Sequence, residues 1–364
     1  MTRPLSSTAF SAALGANSRR RRRVTDPGEL SPKEACRRYL DGRRTELTEE
    51  TVSSYHYRLK LFVEWCERND IHRVDDLDGW LIDEYEATRS GEGVAPSTLH
   101  NEMETLKALV EYLERIEAVE QGLSDRVNVP HVPRGEKSRE TKLETDRALA
   151  LIRHFRESDT LRGCRRHALL ETAWHTGARL GGLRGLDLRD YDRGEQTIEF
   201  VHRPESETPL KNKREGERVV ALNERVCQTV SAYIQTDRYD VHDHHGRQPL
   251  FSSKQGRPNP NTLRVWMYLA TLPCIRTECP HGYDPGTCEF PNHSSASQCP
   301  SSRSPHHVRT GSITWHCDRG VPREVTANRV NASQDVIDQY YDKAEKRERM
   351  EKRRRPHVDK LNIE

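Results

Sequence analysis

No stretch of the sequence approaches the roughly 18 continuous apolar residues that a membrane-spanning helix needs, which sets aside functions that depend on crossing a bilayer. No N-terminal secretory segment with an apolar core is present either, so the expected compartment is the reducing cytoplasm. Net charge is slight: 59 Lys and Arg against 57 Asp and Glu leave +2, and overall balance therefore points to no partner. Apolar residues are few, 33% against 32% charged, so cores should be modest and helices with a single apolar stripe should dominate. There is no internal repeat. The 364 residues leave room for two domains, each with its own core.

Charge is clustered rather than absent. Arg19 to Arg23 is an unbroken run of arginines, and Lys343 to Arg355 holds eight Lys or Arg against three Glu. Each reads either as a solvated segment or as a phosphate-attracting one, and the second reading gains weight only if a DNA-reactive site lies between them.

Residues 1–28, rich in Ser, Ala, Gly and Arg, read as a disordered basic arm. Ser31-Pro32-Lys33-Glu34 combines a cap, a first-turn proline and a capping-box Glu, opening a helix to about Leu40. A second helix follows Thr48, with Tyr55, Leu59, Phe62, Val63 and Cys66 along one face. A third spans about Asp78 to Thr88, and a fourth carries Leu99, Met103, Leu106, Val110 and Leu113. Together they make a small all-α bundle over residues 29–120. Between 121 and 144 the apolar period gives way to Pro130, Pro133, Gly135 and charges, as in a linker. From 145 to 364 the pattern is mixed but mostly helical, with strands expected at 196–201 and 217–222 around a polar loop.

Three short segments of this second region carry residues suited to phosphoryl transfer. The first is Thr176-Gly177-Ala178-Arg179-Leu180, followed by Asp190. The second is His306-His307-Val308-Arg309, whose His306 and Arg309 share a helix face at i and i+3. The third is Tyr340-Tyr341, after Gln334-Asp335-Val336-Ile337-Asp338. Singly, each also reads as ordinary packing.

In this order the segments resemble the tyrosine recombinase (phage integrase) family: Thr-Gly-x-Arg, a hairpin lysine, His-x-x-Arg and a C-terminal Tyr. The hairpin lysine matches Lys211, just ahead of Arg218-Val219-Val220-Ala221-Leu222. Ser302-Arg303-Ser304-Pro305-His306, Arg309-Thr310-Gly311-Ser312-Ile313-Thr314-Trp315 and Tyr341-Asp342-Lys343 are similar to integrases common in halophilic archaea. The resemblance implies a helical, SAM-like core-binding domain that binds DNA, followed by a mixed α+β catalytic domain with a small β-hairpin or sheet. It also implies strand cleavage and rejoining through a 3′-phosphotyrosyl intermediate, with no metal or nucleotide needed for the chemistry. The implied partner is double-stranded DNA, bound by a tetramer on recombining sites and a monomer or dimer off them.

By the same resemblance, Arg179 and Arg309 would grip the scissile phosphate, since planar guanidinium forks match phosphate oxygens. His306 would take the tyrosine proton or hold the phosphate, Lys211 would protonate the departing 5′ oxygen, and Tyr341 would be the nucleophile. Tyr340 competes for that last role, because adjacent helix residues point about 100° apart and only one can face the phosphate. Two positions depart from the family pattern. Gly182 stands where many relatives have an acid, and Arg329-Val330-Asn331 replaces Leu-Gly-His; Asn331 can donate a hydrogen bond but cannot exchange a proton.

Nine cysteines remain to be placed. Cys36, Cys66, Cys164 and Cys227 are scattered through helical patterns and read as small buried apolar residues. Cys274, Cys279, Cys288 and Cys299 crowd an insertion at 273–300 that is rich in Pro and Gly, with four, eight and ten residues between them. A structural Zn²⁺ held by four thiolates is the expected reading, with His281 or His293 as substitute ligands and a loop of free thiols as the alternative. Two rival functions stay open: a DNA-binding protein that keeps the scaffold without catalysis, and a metal-dependent nuclease. Four cysteines would close the metal shell that a nuclease needs open.

Overall fold

A computed structural model describes residues 26–133, 141–284, 286–342 and 345–361. Arg19 to Arg23, Lys343 and residues 134–140 of the expected linker lie outside that set. The chain divides into two compact units, Met1–Glu136 and Lys137–Glu364.

Unit one is built on α1 (Pro32–Arg43), α2 (Glu49–Arg68), α3 (Gly79–Gly91) and α4 (Pro96–Arg115). Ser31 and Glu34 close a reciprocal capping box on α1, while Thr48 and Asp78 cap α2 and α3; such a cap contributes about 1 kcal/mol. The apolar stripes meet in one core around Leu59, Phe62, Trp65, Tyr85, Met103 and Leu106. There the Tyr85 ring meets Phe62 and Trp65 edge-on at 5.2 and 5.5 Å. Order extends past both expected limits. Asp26 caps a 3-10 turn at Pro27–Glu29, inside the expected arm. Leu123 and Val127, inside the expected linker, are buried in this core.

Unit two is organised around α6 (Arg165–Thr176), buried along nearly its whole length. Packed around or beside it are α5 (Thr145–Glu157), α8 (Glu224–Thr236), α9 (Pro260–Ala270) and α10 (Pro305–Asp318). A helix buried all round must pair its own polar groups. Glu171 of α6 does so, accepting from Arg156, from His167 Nε2 at 2.9 Å and from Thr229 Oγ1 at 2.9 Å. After the short α7 (Leu180–Gly185) come β1 (Tyr191–Asp192), β2 (Thr197–Phe200) and β3 (Arg218–Ala221), an antiparallel sheet in that order with Ile198 opposite Val220. Ile198, Phe200 and Val220 point into the core while Glu199 and Val219 point out, the two-residue alternation of a half-buried sheet. The chain then reaches α11 (Arg323–Val330), a single α-helical turn at Gln334–Val336 (α12) and a wider π turn at Ile337–Tyr341.

Gly311 shows how tightly α10 is seated. A Cβ there would overlap Leu143 O and stand 2.9 Å from Trp174 Cζ3. Backbone cannot give way as a side chain can, so Gly311→Ala should cost at least the ~1–3 kcal/mol typical of overpacking. A urea midpoint unchanged from wild type would show that the contact is not close in solution.

Candidate active site

Two helix ends create the site. The α6 helix stops at Gly177, which adopts φ +60°, and α11 stops at Asn331 with φ +52°. Left-handed caps turn the last carbonyls of a helix outward, where they seek donors and favour cations. Arg309 Nη1 donates to both Gly177 O and Val330 O, and Arg179 Nη1 donates to Asn331 O at 2.6 Å. A Cβ on Gly177 would lie 2.7 Å from Val330 Cγ1, so glycine is needed both for the backbone angle and for the approach of the two helix ends.

The arginines are thus held by neutral carbonyls. Among the described residues, no carboxylate lies within 4.0 Å of Arg179, Lys211, Arg218 or Arg309 in an ion pair. Arg309 is 2% exposed, and its Nε and Nη2 are buried without an aligned acceptor. Burial, reinforced by the charge of Arg179 and relieved in part by Tyr341, brings its guanidinium down to about 10. Arg218 Nε donates to Arg329 O, and its guanidinium lies 4.1 Å over the Phe200 ring. Burial and the charges of Arg309, Arg179 and Arg329 take Arg218 down to about 9. Buried cations without counter-anions are costly, and the cost falls when an anion enters.

Arg179, Lys211 and Arg309 border a cavity of about 370 Å³ that Arg264, Tyr268, His306 and Tyr341 also line. Lys211 is exposed, in a turn between β2 and β3. His306 sits in the first turn of α10, its ring 5.5 Å from that of Tyr341. Desolvation, then Arg309, Arg179 and Lys211, hold its imidazole below the ordinary value, so it is neutral at pH 7 and can accept a proton. For Tyr341, burial alone would raise the phenol. The charge of Arg309 and its hydrogen bond to the phenol, then the charges of Arg179 and Lys211, outweigh burial, and the net shift is downward.

Of the residues expected from sequence, Arg179, Lys211, His306, Arg309 and Tyr341 border this one cavity. Asn331 does not. Its carbonyl holds Arg179, and its side-chain Oδ1 accepts from Asn212 Nδ2 at 2.9 Å, tying the Lys211 turn to the end of α11. Tyr340 does not line the cavity; it is partly buried and packs against a cluster of Ile313, Cys317, Ala327, Val330, Ile337 and Tyr341 itself. A Cβ on Gly182 would lie 3.3 Å from Phe200 Cδ1, so an acidic side chain there would need Phe200 to give way by a few tenths of an ångström. Arg218, Arg264 and Tyr268 had no expected role; the i, i+4 spacing of Arg264 and Tyr268 on α9 was the one available signal.

Asp342 anchors the turn that carries Tyr341. Its side chain is 0% exposed, takes both Nη atoms of Arg353 at 2.8 Å, and accepts from Arg323 at 2.8 Å. Thr314 Oγ1 donates to Tyr341 O at 2.9 Å. Part of the basic segment 343–355 is therefore spent on internal pairing. Burial would raise the Asp342 carboxyl, but Arg353, Arg323 and Arg349 prevail and lower it from 3.8 to about 2. A depressed carboxyl stabilises the fold fully above its unfolded value and loses that contribution as pH falls through the folded one. Urea midpoints of wild type and Asp342→Asn should therefore differ most above pH 4 and converge toward pH 2. A gap that is independent of pH would refute the role.

Comparison with known proteins agrees in both units. Residues 38–117 match the family model described as phage integrase, N-terminal SAM-like domain. The chain is 28% identical over 167 residues to tyrosine recombinase XerC of Pseudomonas fluorescens, covering 45% of this chain and 54% of the relative. It thus spans about half the length of that curated relative. A solved N-terminal domain of a phage integrase/site-specific recombinase from Haloarcula marismortui is 50% identical over 28% of this chain and 97% of its own, with a TM-score of 0.27. The Tn1549 transposon integrase, solved in complex with a circular intermediate DNA, is alike in fold, with a TM-score of 0.61 at 15% identity over 92% of this chain and 100% of its own.

Proposed function

Because this chain belongs to the tyrosine recombinase (phage integrase) family, we propose that it is a site-specific DNA recombinase that cuts and rejoins strands through Tyr341. The observation that carries this reading is Arg309: a buried guanidinium whose Nε and Nη2 have no aligned acceptor, beside Tyr341, in a cavity that gathers cations without carboxylates. A phosphodiester is the anion whose geometry matches such a fork.

The Tyr341 oxygen attacks phosphorus while its proton passes to His306, neutral at pH 7. The bond from phosphorus to the 5′ oxygen breaks, and Lys211 supplies the proton that this oxygen takes up. The strand is left joined to the protein by a 3′-phosphotyrosyl ester, and attack by a 5′ hydroxyl reverses the step and reseals it. Arg179 and Arg309 stabilise the charge that grows on the non-bridging oxygens. The carbonyls of Gly177, Val330 and Asn331 hold both arginines in place beforehand, so little reorganisation is required in the transition state.

Double-stranded DNA is the substrate in this reading, and the arrangement of protomers on it follows the family expectation of a tetramer. The test uses duplexes selected by binding from a random pool and then denatured in detergent after incubation. Recombinase action leaves DNA attached to protein, with a free 5′ hydroxyl. Free ends without attached protein would favour a nuclease, and intact DNA a binding protein without catalysis.

A further inference from the structure

Cys274, Cys279, Cys288 and Cys299, expected to share a zinc ion, are free of disulfides, and among the described residues no three of their sulfurs lie within 4.8 Å of one another. A denser convergence lies at the C-terminal end of α11. The last carbonyls of a helix have no partner within it, and here three in succession each accept from a different arginine: Arg329 O from Arg218, Val330 O from Arg309 and Asn331 O from Arg179. The negative end of α11 thus gathers cations that come from β3, α10 and the start of α7.

Lys211 is placed by other means. Its side chain is exposed and, among the described residues, has no hydrogen bond or ion pair to hold it, so its position follows from its two neighbours in the chain. On one side Leu210 is buried, and its N–H donates to His202 Nδ1 at 3.0 Å. On the other, Asn212 Nδ2 donates to Asn331 Oδ1 at 2.9 Å. Asn331 suits that task on two counts. It caps α11 at φ +52°, a region where Gly and Asn are the least penalised residues, and it carries an acceptor that the glycine capping α6 lacks. The fit is close: a Cβ on Gly216, at the end of the 3-10 turn that follows Asn212, would lie 2.6 Å from Asn331 Nδ2.

We infer that Asn212 and Asn331 are positioning residues for protonation of the leaving group: their side-chain hydrogen bond holds Lys211 at the cavity and ties it, through the end of α11, to the carbonyls that hold Arg179 and Arg309. This role rests on the reading of the site as a recombinase centre with Lys211 as general acid. It differs from contact with the phosphate, since neither asparagine borders the cavity. Loss of either side chain frees the Lys211 turn, while the Asn331 carbonyl still holds Arg179.

The test compares cleavage of two duplexes that contain the recognised site, with oxygen or with sulfur as the bridging 5′ atom of the scissile phosphate. With sulfur, the bond from phosphorus to sulfur breaks and the group leaves as a thiolate. The pKa of a thiol is about 8.5, so no proton donor is required. Lys211→Ala sets the reference, slow on oxygen and restored on sulfur. Asn212→Ala and Asn331→Gly, the second of which keeps the left-handed cap, should each slow cleavage of the oxygen duplex about tenfold, as when a catalytic group loses its placement. Both should stay within about threefold of wild type on sulfur. The double variant should be no slower than either single one, because the same hydrogen bond is lost in all three. Asn212 is exposed, so its variant decides should Asn331→Gly fail to fold. A defect that persists on the sulfur duplex would overturn the role, and so would full activity of Asn212→Ala on oxygen. Wild type that cleaves neither duplex would overturn the recombinase reading itself, and this role with it.

Discussion

Tyr341→Phe is expected to reduce covalent attachment to DNA to background, and Tyr340→Phe to leave it within about threefold of wild type, since only the first removes a nucleophile. The two side chains differ in place rather than in chemistry. Tyr341 borders the cavity, its ring 4.8 Å from the Arg309 guanidinium carbon, whereas Tyr340 does not line the cavity and lies partly buried against the cluster that contains Tyr341. The π turn decides between them. Asp342 N bonds to Ile337 O at 2.7 Å, five residues back, and that extra residue rotates the next side chains by about 100° relative to an α-helix. If Tyr340→Phe lost attachment and Tyr341→Phe kept it, the turn would have to be wound differently on DNA.

The second large effect concerns the arginines. Arg179→Ala and Arg309→Ala should each slow cleavage by about 10²–10³-fold, the range seen when one transition-state donor is removed. Duplex binding should change little, because most salt-sensitive affinity comes from cations spread over the surface. The two variants should differ in stability. Arg309→Ala removes a buried side chain and strips Gly177 O and Val330 O of their donor, whereas Arg179 is only partly buried. Arg179→Ala is therefore the cleaner probe. Equal loss of binding and of folding in both variants would mean that the arginines serve structure alone.

The helices of unit one were legible because caps and apolar spacing coincide, as at Ser31-Pro32-Lys33-Glu34. Both main strands were legible within a residue at each end, from the alternation of Ile198 and Phe200 and of Val220 and Leu222. The site was legible as types and order of residues, through Arg179, His306 and Arg309, but not as geometry. Nothing in the local pattern says that Arg309 turns back onto the α6 cap, since its acceptors lie 132 and 21 residues away. Arg218 and Arg329 look like surface cations in sequence, yet long-range carbonyls draw both inward. The same blindness applies to Arg349 and Arg353: a charge run carries no mark of the buried Asp342 that some of its members will meet. The linker was read as too long because Leu123 and Val127 are isolated apolar residues, and only tertiary packing shows that they belong to the first core.

The most direct test of the central claim is peptide mapping of the protein–DNA adduct. A nicked duplex containing the recognised site would trap the cleaved state by letting the 5′ fragment diffuse away. Nuclease and protease digestion would then leave one modified peptide for mass spectrometry. The expected result is a nucleotide joined through its 3′ phosphate to the Tyr341 oxygen, absent from Tyr341→Phe. A 5′ linkage, a different residue, or cleaved DNA with no modified peptide would contradict it.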